Sequence, residues 1–271
     1  MKKPNVAISL LLLFSVLLAA CGGGQATEEP AVNGQDSAGN STNAGEEEPA
    51  GAGGQGLCTN QYFPVFNAAT WTYFVSGAPV QDFSYTDTIT NATSDGFTLS
   101  TNFALEGGLH RTQAWGCEAG GLVALEYTGG PSGALTTEGL VATFNTTGVS
   151  GVTIPADLAV GSTWTQTMDF DGDMVIGEGM SGTSVGSVSY AASAVGMESV
   201  STTAGTFEAI KVEVQQYFNL TATVEGFSMP VTFTGVATVW YAPGVGMVKM
   251  IQTEDLFGST TTVDLQSYSI P

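Results

Sequence analysis

The chain predicts an all-β protein: a large antiparallel curved sheet, a half-open barrel or sandwich of about 10–13 strands, with little or no helix. Three observations carry that expectation. Thr, Val, Gly and aromatic residues dominate from residue 58 onward. No stretch of ten or more residues there combines helical periodicity with caps. Apolar and polar residues alternate over long runs bounded by Gly-bearing turns, the pattern of antiparallel strands with one wet face.

The amino-terminal elements precede that sheet. Met1-Lys2-Lys3 is a cationic start, Val6 to Leu18 is a nearly unbroken apolar run, and Leu18-Ala19-Ala20-Cys21 follows at once. The run is shorter than the ~20 residues that span a bilayer, so residues 1–20 read as a cleaved secretory signal peptide. With Cys21 at the exit, the segment resembles a bacterial lipoprotein signal with its lipobox. That resemblance implies cleavage before Cys21, attachment of diacylglycerol to its thiol, and further acylation (palmitate, for example) of the new amino terminus. One acyl chain holds a membrane only marginally, which is why two or more are used. The expected place is the extracytoplasmic side of the cell envelope. Gly22, in place of the Asp that marks inner-membrane retention, points to the outer membrane or cell surface.

Residues 21–57 form the lipidated Cys and a tether of Gly, Ala, Glu, Asn, Ser and Gln, with Glu46-Glu47-Glu48 and no aromatic or basic residue after Cys21. Too little apolar surface exists to offset backbone ordering, so disorder is expected. Such a tether has a root-mean-square reach of about 33 Å.

Residues 58–271 are expected to form one all-β domain, the alternative being two similar halves with a seam near residues 148–151. This part carries Arg111, Lys211 and Lys249 against nineteen acidic residues, a formal charge of about −16. That surface repels phosphate backbones, which excludes nucleic acid as a partner. Cys58 and Cys117 are two thiols in an exported domain and are expected to pair as a disulfide. Strand-like runs follow in order at Thr70–Val75, Phe83–Thr90, Phe97–Phe103, Leu109–Trp115, Leu122–Tyr127, Leu140–Thr146, Thr163–Phe170 and Ser187–Val200. The clearest is Thr206–Val224. Ile210, Val212, Val214, Phe218, Leu220, Ala222 and Val224 share one face, and a straight strand of that length would exceed ~60 Å. It must bend or bulge, and Gln216 in the apolar row marks the expected place. Glu225-Gly226 turns the chain into Phe227–Tyr241. Pro243-Gly244 and Gly258-Ser259 then bracket the last two strands of a meander.

Several landmarks carry a second resemblance. Tyr62-Phe63-Pro64 before Thr70-Trp71-Thr72-Tyr73, then Gly161-Ser162-Thr163-Trp164, Ala204-Gly205-Thr206-Phe207 and Trp240-Tyr241-Ala242-Pro243-Gly244-Val245-Gly246, resemble bacterial lipoproteins of the TapB-like type. The motifs are turns and aromatic strand entries. No activity is established for that family, so the resemblance supplies no catalytic residue.

Several constellations could carry chemistry, and each has a plain structural alternative. Gly182-Thr183-Ser184-Val185-Gly186 fits the serine-hydrolase pattern G-x-S-x-G, but the surroundings are strand-like and the only His, His110, precedes the Ser. His110 and Arg111 are neighbours in an alternating run and therefore face opposite sides. Asp169, Asp171 and Asp173, with Glu178 nearby, are a calcium candidate whose sixth and twelfth loop positions are Met174 and Met180. A hairpin tip at Asp171-Gly172 is the expected alternative. Trp71, Trp115, Trp164 and Trp240 are expected in the core or on a ligand platform. Phe227, Met229, Phe233, Tyr241, Met247 and Met250 are the candidate lining of an apolar pocket, Met adapting to varied ligands. The functional expectation is a membrane-anchored, non-catalytic binding protein without cofactor, taking an apolar or amphiphilic ligand. The alternative is a structural protein docking other envelope proteins through exposed strands.

Overall fold

The computed structural model describes residues 56–77, 81–105, 108–127, 135–137, 140–176, 180–254 and 260–271. The signal segment, Cys21 and nearly all of the tether lie outside the described residues, as does Glu178. Among the described residues the secondary structure is strand apart from a single 3-10 turn, Gly56–Cys58. No helix there is long and apolar enough to cross a membrane.

Fourteen strands follow in chain order. The first five are β1 (Thr70–Ser76), β2 (Phe83–Thr90), β3 (Gly96–Phe103), β4 (Leu109–Glu118) and β5 (Gly121–Ala124). After the short β6 (Leu135–Thr137) come β7 (Leu140–Gly151), β8 (Ile154–Pro155), β9 (Thr163–Ile176) and β10 (Met180–Thr202). The last four are β11 (Gly205–Val224), β12 (Phe227–Ala242), β13 (Gly246–Glu254) and β14 (Thr260–Ser269). They make one antiparallel sheet in the order β6-β7-β9-β10-β11-β12-β13-β14-β1-β2-β3-β4-β5-β8. The sheet is not closed into a barrel.

Alternation decides which face is buried. Along β11 Ile210, Val212, Phe218, Leu220 and Ala222 are covered, whereas Glu213, Gln215, Tyr217, Asn219 and Thr221 are exposed. The bend expected at Gln216 is not there, because Gln216 pairs in register with Tyr190 on one side and Gly235 on the other. Bulges instead fall at Val195 in β10, skipped between the pairs Ala194–Val212 and Gly196–Lys211, and at Val248 in β13, skipped between Trp240–Lys249 and Tyr241–Met247. A bulge takes up twist at the cost of one unpaired residue, so strands elsewhere in the sheet absorb twist that β11 does not. Glu225 and Gly226 both have positive φ, +49° and +81°, the two-residue turn that matches the strand twist of the β11–β12 hairpin. The hairpin tip expected at Asp171-Gly172 is also corrected. β9 runs straight through it, pairing Gly172 with Ser184 and Phe144.

The inner face is filled by two aromatic stacks. Phe63 lies between Trp71 and Trp115, at ring separations of 5.7 and 5.6 Å, with Phe97 against Trp115 at 5.5 Å. The second stack runs Tyr127, Phe170, Phe218 and Phe233, with successive rings 4.7, 5.7 and 4.5 Å apart. Phe170 reaches Phe218 across β10 only because Gly186 stands between them. A Cβ there would sit 3.0 Å from the Phe170 ring and 2.3 Å from the Asn219 carbonyl.

The two ends of the sheet meet at one place. β7 ends at Gly151 beside β9, and three residues later the chain enters β8 beside β5. Between them Val152 N–H donates to Thr165 O in β9 and Thr153 N–H donates to Leu122 O in β5. Thr153 Oγ1 accepts from Ala124 N–H at 2.8 Å, and the Trp164 indole donates to Thr153 O at 3.1 Å. Val152 and Thr153, just past the residues 148–151 that the sequence offers as a seam, thus strap the two ends of the sheet together.

Candidate functional site

The wall β1–β4 and the wall β9–β12 each place a row of polar side chains on the otherwise apolar inner face. On the first wall register aligns Trp71, Asp87, Thr101 and Arg111 across four strands. On the second it aligns Gln166, Tyr190, Gln216 and Gly235. Gln166 Nε2 crosses to the other end of the sheet, donating to Ala124 O at 3.1 Å.

Asp87 accepts a 2.6 Å hydrogen bond from Thr101 Oγ1. Burial pushes its carboxyl up to about 6, against the pull of the Thr101 hydrogen bond and of the Arg111 guanidinium, both of which favour the ion. Arg111 lies over the Phe103 ring at 5.7 Å from its centroid. Its charge also reaches the opposite wall, where burial pushes the Tyr190 phenol up to about 12 and Arg111 draws it down. The Tyr73 phenol is held well above its ordinary value, chiefly by burial and then by Tyr85, Asp87 and Tyr241; it donates to Met247 O at 3.1 Å. Burial likewise pushes Tyr241 up to about 12. These phenols stay neutral donors at ordinary pH.

Two donors in this belt have no partner within the described protein: Arg111 Nε and Gln216 Nε2. Gln216 is only 8% exposed. A buried donor left unpaired costs about 1–3 kcal/mol, so these atoms mark where an acceptor would be gained. Among the described residues, both lysines are engaged. Lys211 bonds Glu198 at 2.9 Å, where the Trp240 indole also donates, and Lys249 bonds Asp264 at 3.1 Å.

The residues expected to line an apolar pocket are spread along β12 and β13 rather than gathered. Phe227 and Met229 stand at the hairpin end, 82% and 44% exposed, while Phe233 is buried in the second aromatic stack. Tyr241, Met247 and Met250 pack against the core at the other end of β12. Asp169, Asp171 and Asp173 point outward from one strand, exposed, and no group of three metal-binding side chains occurs among the described residues. Asp171 accepts from Asn145 Nδ2 at 3.3 Å instead. Ser184 is buried within β10, not on a strand-to-helix turn. His110 faces outward, 3.3 Å from Ser100 Oγ. Cys58 and Cys117 are joined, S–S 2.03 Å, tying the 3-10 turn to the end of β4.

Sequence reasoning missed the belt. Asp87, Thr101, Arg111, Tyr190 and Gln216 stand on five strands, and only register brings them level. The available signal was that Asp87 and Gln216 are polar residues at positions alternation assigns to the inside.

Residues 142–256, which hold most of β7 and all of β8 to β13, match the DUF3108-like family model. No curated protein matches the chain. Among solved structures, a protein described as exported with a YmcC-like fold, from Bacteroides fragilis, is 14% identical over 78% of this chain and all of its own, with TM-score 0.44. A protein described as a lipoprotein from Parabacteroides distasonis is 14% identical over 78% of this chain and 99% of its own, TM-score 0.39. The hypothetical lipoprotein YmcC of Escherichia coli aligns over 100% of this chain and 99% of its own at 9% identity, TM-score 0.33. The chain is thus similar, over the meander that forms its second wall, to the DUF3108-like domain.

Proposed function

We propose that this is a lipid-anchored envelope protein, held on the extracytoplasmic side through Cys21, with a non-catalytic role in binding an amphiphilic ligand. The head of that ligand carries an acceptor, a carboxylate or phosphate, and meets the polar belt. Its apolar part lies along the inner face. The observation that supports this reading is the pair of unpartnered donors, Arg111 Nε and Gln216 Nε2, on opposite walls of an apolar interior. An amphiphile is the chemistry that fits a few polar groups set in apolar surroundings. The aromatic stacks fill the interior beside the belt, so occupancy requires the walls to part along the unclosed side of the ladder. The lipobox-like segment before Cys21 supports the anchor.

Two experiments test this. The Cys21→Ser chain is expected to leave the membrane fraction and to take up no radiolabelled palmitate. Equal membrane retention would remove the anchor from the proposal. Organic extraction and native mass spectrometry of the purified chain are expected to find an acyl molecule with an acidic head, and Arg111→Leu to lower its occupancy about tenfold. A chain that carries no such molecule, or that carries it equally well without Arg111, would overturn the binding role.

A further inference from the structure

Among the described residues, open volume lies on the other side of the second wall. Two troughs of about 670 and 550 Å³ adjoin on the outer face of β9–β12. Register sets their walls as four cross-strand rows. The first is Thr163, Ser193, Glu213 and Thr238, and the second is Thr165, Ala191, Gln215 and Val236. The third is Ser189, Tyr217 and Thr234 and the fourth is Ser187, Asn219 and Thr232, with Thr167 and Asp169 of β9 next in register outside the trough. Six residues from Glu213 to Asn219 span about 20 Å along the strand, and four strands about 14 Å across.

The chemistry of this surface is specific in kind. Hydroxyls supply paired donors and acceptors, and Gln215 and Asn219 add amides that can bond vicinal hydroxyls in both directions. Tyr217, 54% exposed, lays an aromatic ring in the middle of the trough. No cation lines either trough, and the carboxylate among the lining residues is Glu213. An anionic polymer would meet the domain's excess of acid with nothing to neutralise it. A neutral sugar chain matches the hydroxyls, the amides and the ring. Its axial C–H faces carry slight positive charge and sit on the negative face of the ring, while its hydroxyls meet the hydroxyls and amides. An open-ended trough about 20 Å long also accepts a chain passing through, where an enclosed pocket would take only an end.

We propose that the outer face of β9–β12 is a binding site for a neutral oligosaccharide or polysaccharide, with Tyr217 as its stacking platform. The site is independent of the interior belt, since its residues point the opposite way along the same strands.

The test uses the full chain in detergent micelles and a panel of neutral hexasaccharides of glucose, mannose and N-acetylglucosamine, with a hexagalacturonate as the anionic comparison. Calorimetric titration is expected to show at least one neutral member binding and no binding of the hexagalacturonate. Tyr217→Ala is expected to weaken that binding at least tenfold, Tyr217→Phe to retain it within about twofold, and added salt to leave it unchanged. The ring is exposed, so unchanged thermal melting will show that Tyr217→Ala folds; Asn219→Ala, expected to weaken binding about threefold, gives a second reading. Failure of all three neutral sugars to bind at millimolar concentration, binding indifferent to Tyr217→Ala, or preference for the anionic sugar would each overturn the site. Loss of the interior amphiphile in Arg111→Leu would leave these results untouched, so the two proposals fail separately.

Discussion

Asp87 holds its proton to about pH 6 because burial penalises the carboxylate more than Thr101 and Arg111 favour it. The sign of the consequence follows from linkage. Between about pH 4 and 6 the folded chain binds a proton at Asp87 that the unfolded chain has released, so this residue's contribution is full at low pH and is lost as pH rises through 6. The loss is about 2 kcal/mol, allowing for partial exposure. In Asp87→Asn the amide oxygen still accepts from Thr101 and the titration is gone. Urea unfolding at pH 4, 5 and 7 is expected to show that the decline in stability over this window flattens by about 2 kcal/mol in the variant. An unaltered slope would mean that Asp87 titrates normally. Such a residue was half legible in the sequence. Alternation separates Arg111 from His110 and places Gln216 in an apolar row, but nothing local says that Arg111 and Tyr190 face each other.

Strand placement was the most legible scale. The period of two along β11, with Glu225-Gly226 after it, gave the hairpin to within a residue. Two local readings failed for one reason: both ignored the neighbouring strand. Gln216 bends nothing because Gly235 opposite leaves room for its side chain. Gly172 makes no turn because it sits beneath Phe144, where a Cβ would approach the ring to 3.2 Å. A glycine that admits a neighbour's ring and a glycine that turns the chain look alike in one dimension. The strap at Val152-Thr153 tests the element scale. Thr153→Val keeps the shape and removes the acceptor of the Ala124 N–H, a buried residue. The variant is expected to lose about 1–3 kcal/mol in denaturant unfolding, with faster amide exchange at Ala124 than in the parent chain. Exchange unchanged at Ala124 would show that the strap does not hold the two ends.

At the scale of the molecule, Cys58 and Cys117 stand 59 residues apart and are both buried. The pairing was readable from thiol count and export. Its consequence is a stability difference, since closing that loop removes freedom from the unfolded chain worth at most about 4 kcal/mol. Reduction, or Cys58→Ala with Cys117→Ala, is expected to lower stability by about 2–4 kcal/mol without altering the far-ultraviolet spectrum at low temperature. A loss under 1 kcal/mol would assign the clamp no part in holding the first wall.

The pairing of β1 with β14 sets a schedule. Thr70 finds its partner at Ser269 and Ser76 at Thr262, so the strand that starts the domain waits about 190 residues for its neighbour. At ribosomal speeds of ~5–20 residues per second that is roughly 10 to 40 seconds of synthesis before the β1–β14 junction can form, whereas the strap at Val152-Thr153 needs nothing beyond β9. Contacts so distant along the chain also make for slow collapse once every part is present. The ladder is therefore completed only once the carboxy-terminal hairpin has been made, and a chain cut short of it leaves β1 with a bare edge open to any other strand.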